Sequence, residues 1–156
     1  MKSRYTTTIL FLFFTWAYSL YAQGPIILPK SATKDQICWD AVKTNAGIWY
    51  FATNQGVLEF DGITFQLIPT NTPVRKLTIG DQMLWVGCKE DFGKINLRSE
   101  NAPKFESLKS KDASFLFNQV WDIRVSGNVV HFLTERNLIQ VYTDKPGSSP
   151  FVLQDE

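Results

Sequence analysis

What most narrows the folds open to this chain is a recurrence in phase. Trp39-Asp40-Ala41-Val42 returns as Trp121-Asp122-Ile123-Arg124, 82 positions later. Behind the first copy stands Gly47-Ile48-Trp49-Tyr50-Phe51-Ala52-Thr53, and behind the second Gly127-Asn128-Val129-Val130-His131-Phe132-Leu133-Thr134. Each is followed by a turn and another apolar run, Gly56-Val57-Leu58-Glu59-Phe60-Asp61-Gly62 in one and Asn137-Leu138-Ile139-Gln140-Val141-Tyr142 in the other. A weaker copy lies between them, in Val74-Arg75-Lys76-Leu77-Thr78-Ile79, Met83-Leu84-Trp85-Val86-Gly87 and Phe92-Gly93-Lys94-Ile95-Asn96-Leu97. The matching positions Phe51, Val86 and Phe132 are 35 and 46 residues apart, so the long spacing is two repeats averaging 41. A fixed period of this length is the signature of a repeat architecture.

Inside each repeat, short runs of branched and aromatic residues are broken by Gly, Asn and Asp, the pattern of strands joined by tight turns. Asn45-Ala46-Gly47, Gly80-Asp81 and Ser126-Gly127-Asn128 punctuate the first hairpins. Gly56, Gly93 and Asn137, 37 and 44 residues apart, are expected to mark the second hairpins, where positive φ costs least for Gly and next least for Asn. Thr64-Phe65-Gln66-Leu67-Ile68 and Phe105-Glu106-Ser107-Leu108 fit a fourth strand, and the closing run from Phe151 reads the same way. Four antiparallel strands per repeat make a β-propeller blade. The fold class is therefore all-β, with about three blades, near residues 35–70, 72–110 and 115–156, in an incomplete ring. An antiparallel sandwich is the competitor, but it gives no reason for Trp-Asp and Gly to recur in phase. No apolar period of 3.6 supports a helix beyond the N-terminal segment. Propellers generally need four to eight blades, so three alone are expected to be aggregation-prone or partly unfolded, as in a truncated or partial chain.

The N-terminus differs in kind. Lys2 and Arg4 precede an apolar stretch from Ile9 to Ala22, and Gln23-Gly24 follows, as in a secretory signal over residues 1–22 cleaved near Ala22-Gln23. A retained anchor is the alternative, but these 14 residues fall short of the ~20 needed to span a bilayer. No Cys at the boundary offers itself for lipid attachment. Residues 23–156 then form an exported partial propeller. Export permits disulfides, yet Cys38 and Cys88 sit at non-equivalent places in the repeats, and buried free thiols are expected in preference to a bridge. Sixteen basic and fifteen acidic residues nearly cancel, which excludes an electrostatic footprint for nucleic acid.

The run from Trp39-Asp40 through Gly47-Ile48-Trp49-Tyr50-Phe51-Ala52-Thr53-Asn54-Gln55-Gly56-Val57-Leu58-Glu59-Phe60-Asp61-Gly62 resembles the two-component-regulator propeller repeat of Bacteroidetes-type bacteria. Val74-Arg75-Lys76-Leu77, Trp85-Val86-Gly87 and Asp91-Phe92-Gly93 are similar to that family's next repeat, and the third copy is a looser match. The resemblance spans about residues 35–145. It implies a periplasmic ligand-sensing module, with a glycan-derived or other small ligand, no cofactor and no catalysis of its own. It also implies a following triple-tyrosine domain, a membrane helix and a kinase or helix-turn-helix output, and it leaves a homodimer open. Fold alone carries no function. A carbohydrate-active propeller of the glycosidase or lyase kind, or a non-catalytic scaffold, is the alternative.

Candidate chemistry is sparse. No nucleophile-elbow, zinc-helix or phosphate-loop motif occurs, so no catalytic or metal-binding residues are assigned and the ligand-binding residues are left unknown. Asp61-Gly62 is a turn pair that lacks the Ser expected two residues before the Asp of a sialidase-type Asp-box. His131, the single histidine, alternates with Val130 and Phe132 and is expected to be a partly exposed strand residue. Asp40 and Asp122 recur in phase, which favours hydrogen-bond anchors over an acid–base pair. Lys89-Glu90-Asp91 is either a solvated turn or a ligand-facing loop.

Overall fold

Each short run rich in branched and aromatic side chains forms a strand, and inner ones such as Met83–Cys88 are buried on both faces. The computed structural model describes residues 37–99, 101–109, 116–145 and 150–154. The expected signal segment lies outside the described residues, all of which belong to the unit Ser31–Glu156. The strands are β1 (Cys38–Lys43), β2 (Trp49–Thr53), β3 (Gly56–Phe60), β4 (Phe65–Pro69), β5 (Val74–Gly80) and β6 (Met83–Cys88). They continue as β7 (Phe92–Asn96), β8 (Phe105–Ser107), β9 (Val120–Ser126), β10 (Val129–Thr134), β11 (Asn137–Tyr142) and β12 (Phe151–Gln154). They form three four-stranded meanders, β1-β2-β3-β4, β5-β6-β7-β8 and β9-β10-β11-β12, antiparallel throughout. These are three propeller blades in an unclosed ring, with the first strands β1, β5 and β9 lying successively against one another.

The hydrophobic core is divided between the two seams. Tyr50, Ala52, Val57 and Ile68 of the first blade pack against Val74, Leu77, Leu84, Val86 and Ile95 of the second. Trp85 and Phe92 on the second blade's other face meet Val120, Ile123, Val130 and Phe132 of the third. Phe92 is fully buried, with ring centroids of Phe132 and Phe117 at 5.0 and 6.1 Å. Burying each such side chain is worth about 1.5–3 kcal/mol, so the seams are what make neighbouring blades cohere. Gly87 permits the close approach at the second seam: a Cβ there would lie 2.6 Å from Val120 Cγ1.

The second hairpins depart from the sequence expectation. The pairs Ala52↔Val57, Gly87↔Phe92 and Leu133↔Leu138 make Gly56, Asp91 and Asn137 the equivalent residues, not Gly93. Gly56 alone of these takes a positive φ, 143°. Thr53 Oγ1 donates to the Gly56 carbonyl at 2.8 Å and Thr134 Oγ1 to that of Asn137 at 3.1 Å, closing the first and third turns alike. In the second blade Cys88 replaces the threonine, and its N–H donates to the Asp91 carbonyl at 2.9 Å. Gly93 lies inside β7 opposite Val86, and a Cβ on it would strike the Glu106 carbonyl and the Phe105 ring. It is small because β8, paired beside it, lies close against this position.

Both thiols are free, but only Cys88 is buried. Cys38 is exposed at the start of β1, contrary to expectation, because β1 is half-solvated along its length and Cys38 falls just before a bulge.

Candidate functional site

The in-phase Trp-Asp pair is placed by a device that repeats in every blade. Pairing skips one residue between Cys38 and Asp40, between Val74 and Lys76, and between the Val120 and Asp122 partners, so Trp39, Arg75 and Trp121 are bulge residues at equivalent points of the first strands. A bulge bends its strand and re-aims the side chain. The Arg75 guanidinium lies over the Trp39 ring, 3.7 Å from its centroid. Asp40 Oδ2 accepts the Leu77 N–H at 3.0 Å and pairs with Lys76 Nζ at 3.1 Å. Asp40 is therefore an anchor between blades. In the third blade Asp122 accepts from the Ile123 N–H at 2.9 Å and from Arg124 Nε at 2.8 Å. Burial acts to raise the Asp122 pKa, but the Arg124 and Ile123 hydrogen bonds outweigh it and leave it below the ordinary carboxylate value.

The other sequence candidates resolve into architecture. Asp61 Oδ1 caps the N–H groups of Ile63 and Thr64 at 2.8 and 2.6 Å, a self-contained turn about Gly62 with φ 100°. His131 is half-buried, between fully buried Val130 and Phe132 that face the other way, with Gln140 3.5 Å from Nδ1. Asp91 is buried rather than solvated: its Oδ1 accepts from the Phe92 N–H and from Ser107 Oγ. Glu90, with φ 62°, donates its N–H to the Asn118 carbonyl, so this turn stitches the second blade to the third. Among the described residues no group of three His, Cys, Asp or Glu is placed to hold a metal.

Concavity lies instead between blades, at the end carrying the first hairpins. An open groove of about 770 Å³ separates the β1–β2 hairpin from the β5–β6 hairpin. Tyr50 and Ile79 form its apolar floor, and Lys43, Asn45, Gln82 and Arg98 stand on its rim. Burial first, then the charge of Glu59 and a hydrogen bond to it, push the Tyr50 pKa far above its ordinary value, so the phenol stays protonated. A second groove of about 350 Å³ occupies the corresponding place between the second and third blades, lined by Trp85, Lys94, Glu106, Tyr142 and Lys145. Trp85 Nε1 is buried there without an acceptor among the described residues. Lys94 and Glu106 approach to 3.7 Å, and Lys145 lies over the Tyr142 ring. Apolar floors with a few convergent polar groups are what small-ligand sites require. Tyr50 and Trp85 stand in the repeat runs, and the other residues named belong to no motif. They come from three loops and two seams, and the only sequence signal for the first groove is that its hairpin tips recur.

No protein-family model and no curated protein matches the chain. Two solved structures of the extracellular domain of a B. thetaiotaomicron protein are similar to it, that protein being described once as a one-component and once as a hybrid two-component system. Identity is 16% in both, and the TM-scores are 0.58 and 0.59 over 79% and 82% of this chain. The chain spans only 16% and 17% of the length of those chains. At that identity the likeness is one of fold. In fold, the chain matches part of that extracellular domain, and its own three four-stranded blades are the fold that the resemblance from Trp39 to Gly62 implies.

Proposed function

We propose that the chain is a segment of a periplasmic sensor propeller that serves signal transduction, and that it meets a small polar ligand in the grooves between its blades. Two-component output domains and a membrane helix elsewhere in the full protein belong to this reading, as does export by a signal over residues 1–22. The observation that carries the binding part is the first groove, where a protonated phenol lies in the floor beneath Lys43 and Arg98 on the rim. Neutral hydroxyl-bearing ligands such as glycan fragments suit it, since the rim supplies hydrogen-bond donors above a largely buried floor of Tyr50 and Ile79. The fold likeness to the extracellular domain of a two-component system supports the same reading. The test is a chemical-shift titration with a panel of neutral and acidic oligosaccharides. Shifts confined to the β1–β2 and β5–β6 hairpins and weakened about tenfold by Arg98→Ala are expected. Shifts elsewhere, or none with any sugar, reject the groove as the ligand site.

A further inference from the structure

Trp39-Asp40 grips three consecutive residues of the next blade. The Arg75 guanidinium stacks on Trp39, Lys76 Nζ pairs with Asp40 Oδ2, and the Leu77 N–H donates to that same oxygen. Trp121-Asp122 stands at the identical register of β9, with Trp121 at the bulge as Trp39 is. The carboxylates share one posture, since Asp40 Oδ1 takes the Ala41 N–H and Asp122 Oδ1 takes the Ile123 N–H. Only the other half of the grip differs. Trp39 is 49% exposed even under Arg75 and Trp121 57%, so the difference lies at Asp122 Oδ2, which is held by Arg124, a side chain 80% exposed. Leu133 and Leu153 are exposed on the face equivalent to the one that Ala52 and Gly87 bury in the other seams, and they edge a hollow of about 310 Å³.

We propose that this face is a docking surface for a further four-stranded blade whose first strand carries a basic pair in the place of Arg75-Lys76. Its first cation stacks on Trp121, its second pairs with Asp122 Oδ2, and the N–H that follows donates to that oxygen, displacing Arg124. The occupant is specified by continuity with the first seam and by charge. A second copy of this chain fails on both counts. Its first strand offers Trp39-Asp40 at that place, which sets Asp40 against Asp122, and its Ala41 N–H is already bonded to Asp40. Like charges brought together at an interface select against the wrong partner. The surface thus discriminates between a neighbouring blade and self-assembly. It goes beyond the sensor reading and stands without it.

The experiment extends the full chain at its C-terminus with a second copy of residues 70–109, which carries its own Arg75-Lys76-Leu77, and follows amide hydrogen exchange. Protection in β9 and β10 is expected to rise at least about tenfold over the unextended chain. Asp122→Asn should remove about fivefold of that gain in the extended chain and change little in the unextended one. An appended copy carrying Arg75→Trp and Lys76→Asp, the pair a second chain would present, should give no gain. Equal protection with both appended copies overturns the proposal, as does an appended blade that leaves β9 unprotected. Sedimentation of the unextended chain is the second measurement. A discrete dimer dissolved by Leu133→Asp overturns the proposal, and the lack of one supports it.

Discussion

Asp40 Oδ2 accepts the Leu77 N–H at 3.0 Å across the first seam, whereas Asp122 Oδ2, its counterpart in the third blade, turns back to Arg124 of its own strand. Asp40→Ala is expected to lower stability by about 1 kcal/mol, at the low end for a charged hydrogen bond because the Asp40 side chain is 21% exposed. Asp122→Ala should cost this chain about 0–0.5 kcal/mol, the usual worth of an exposed pair. Urea unfolding of the two variants at unchanged m separates the roles.

The seams leave no room at their narrowest point. Gly87→Val would drive its methyls into Val120, and about 1–3 kcal/mol of overpacking cost is expected. Gly93→Ala meets a backbone carbonyl that cannot rotate away, so it should release β8 from β7. Loss of the Leu108 N–H to Phe92 carbonyl bond, seen as faster exchange of the Leu108 amide, checks this.

The two cysteines should behave oppositely toward a thiol reagent. Cys38 is exposed and should react in the folded chain, while Cys88 should react only on unfolding. Burial, helped by the charge of Asp91, pushes the Cys88 thiol up to about 12 from an ordinary 9.0. A raised folded pKa means that its contribution is complete below the unfolded value and is lost as pH climbs from 9 toward 12. Cys88→Ala should flatten the alkaline limb of the stability curve, at a cost in packing.

At the acid end the sign reverses. Burial tends to raise the Glu135 pKa, but hydrogen bonds from its own backbone and from the Asn118 and Gln119 N–H groups prevail and hold it below the ordinary carboxylate value. A depressed folded pKa gives stability that is present above the unfolded value, about 4.3 for Glu, and is lost as pH falls through the folded one. Glu135→Gln should reduce the slope of stability against pH below about 4, measured by denaturant unfolding across that range.

Much of the architecture was legible in the residues. The runs from Val74 to Ile79 and from Met83 to Gly87 needed only strand patterning, and the Trp39 and Trp121 copies fixed the phase. The second hairpin of the middle blade was misplaced because Gly93 looked like a turn glycine in phase with Gly56. Pairing of Gly87 with Phe92 put Asp91 in the turn instead. A glycine required by a close neighbouring strand and a glycine required by positive φ are the same letter. The grooves between the blades were not legible at all, since Tyr50, Gln82 and Arg98 are brought together only when two blades dock.

By itself the sequence determined the repeat, its strands and its fold class, because alternation and turn residues act over a few positions and recur with the period. The tertiary structure alone decided what the repeated residues do. Asp40 became a bridge between blades while Asp122, the same residue in the same register, did not. The difference is a neighbour: Asp122 Oδ2 takes Arg124 from its own strand, whereas Asp40 Oδ2 takes an N–H and a cation that only the docked second blade supplies.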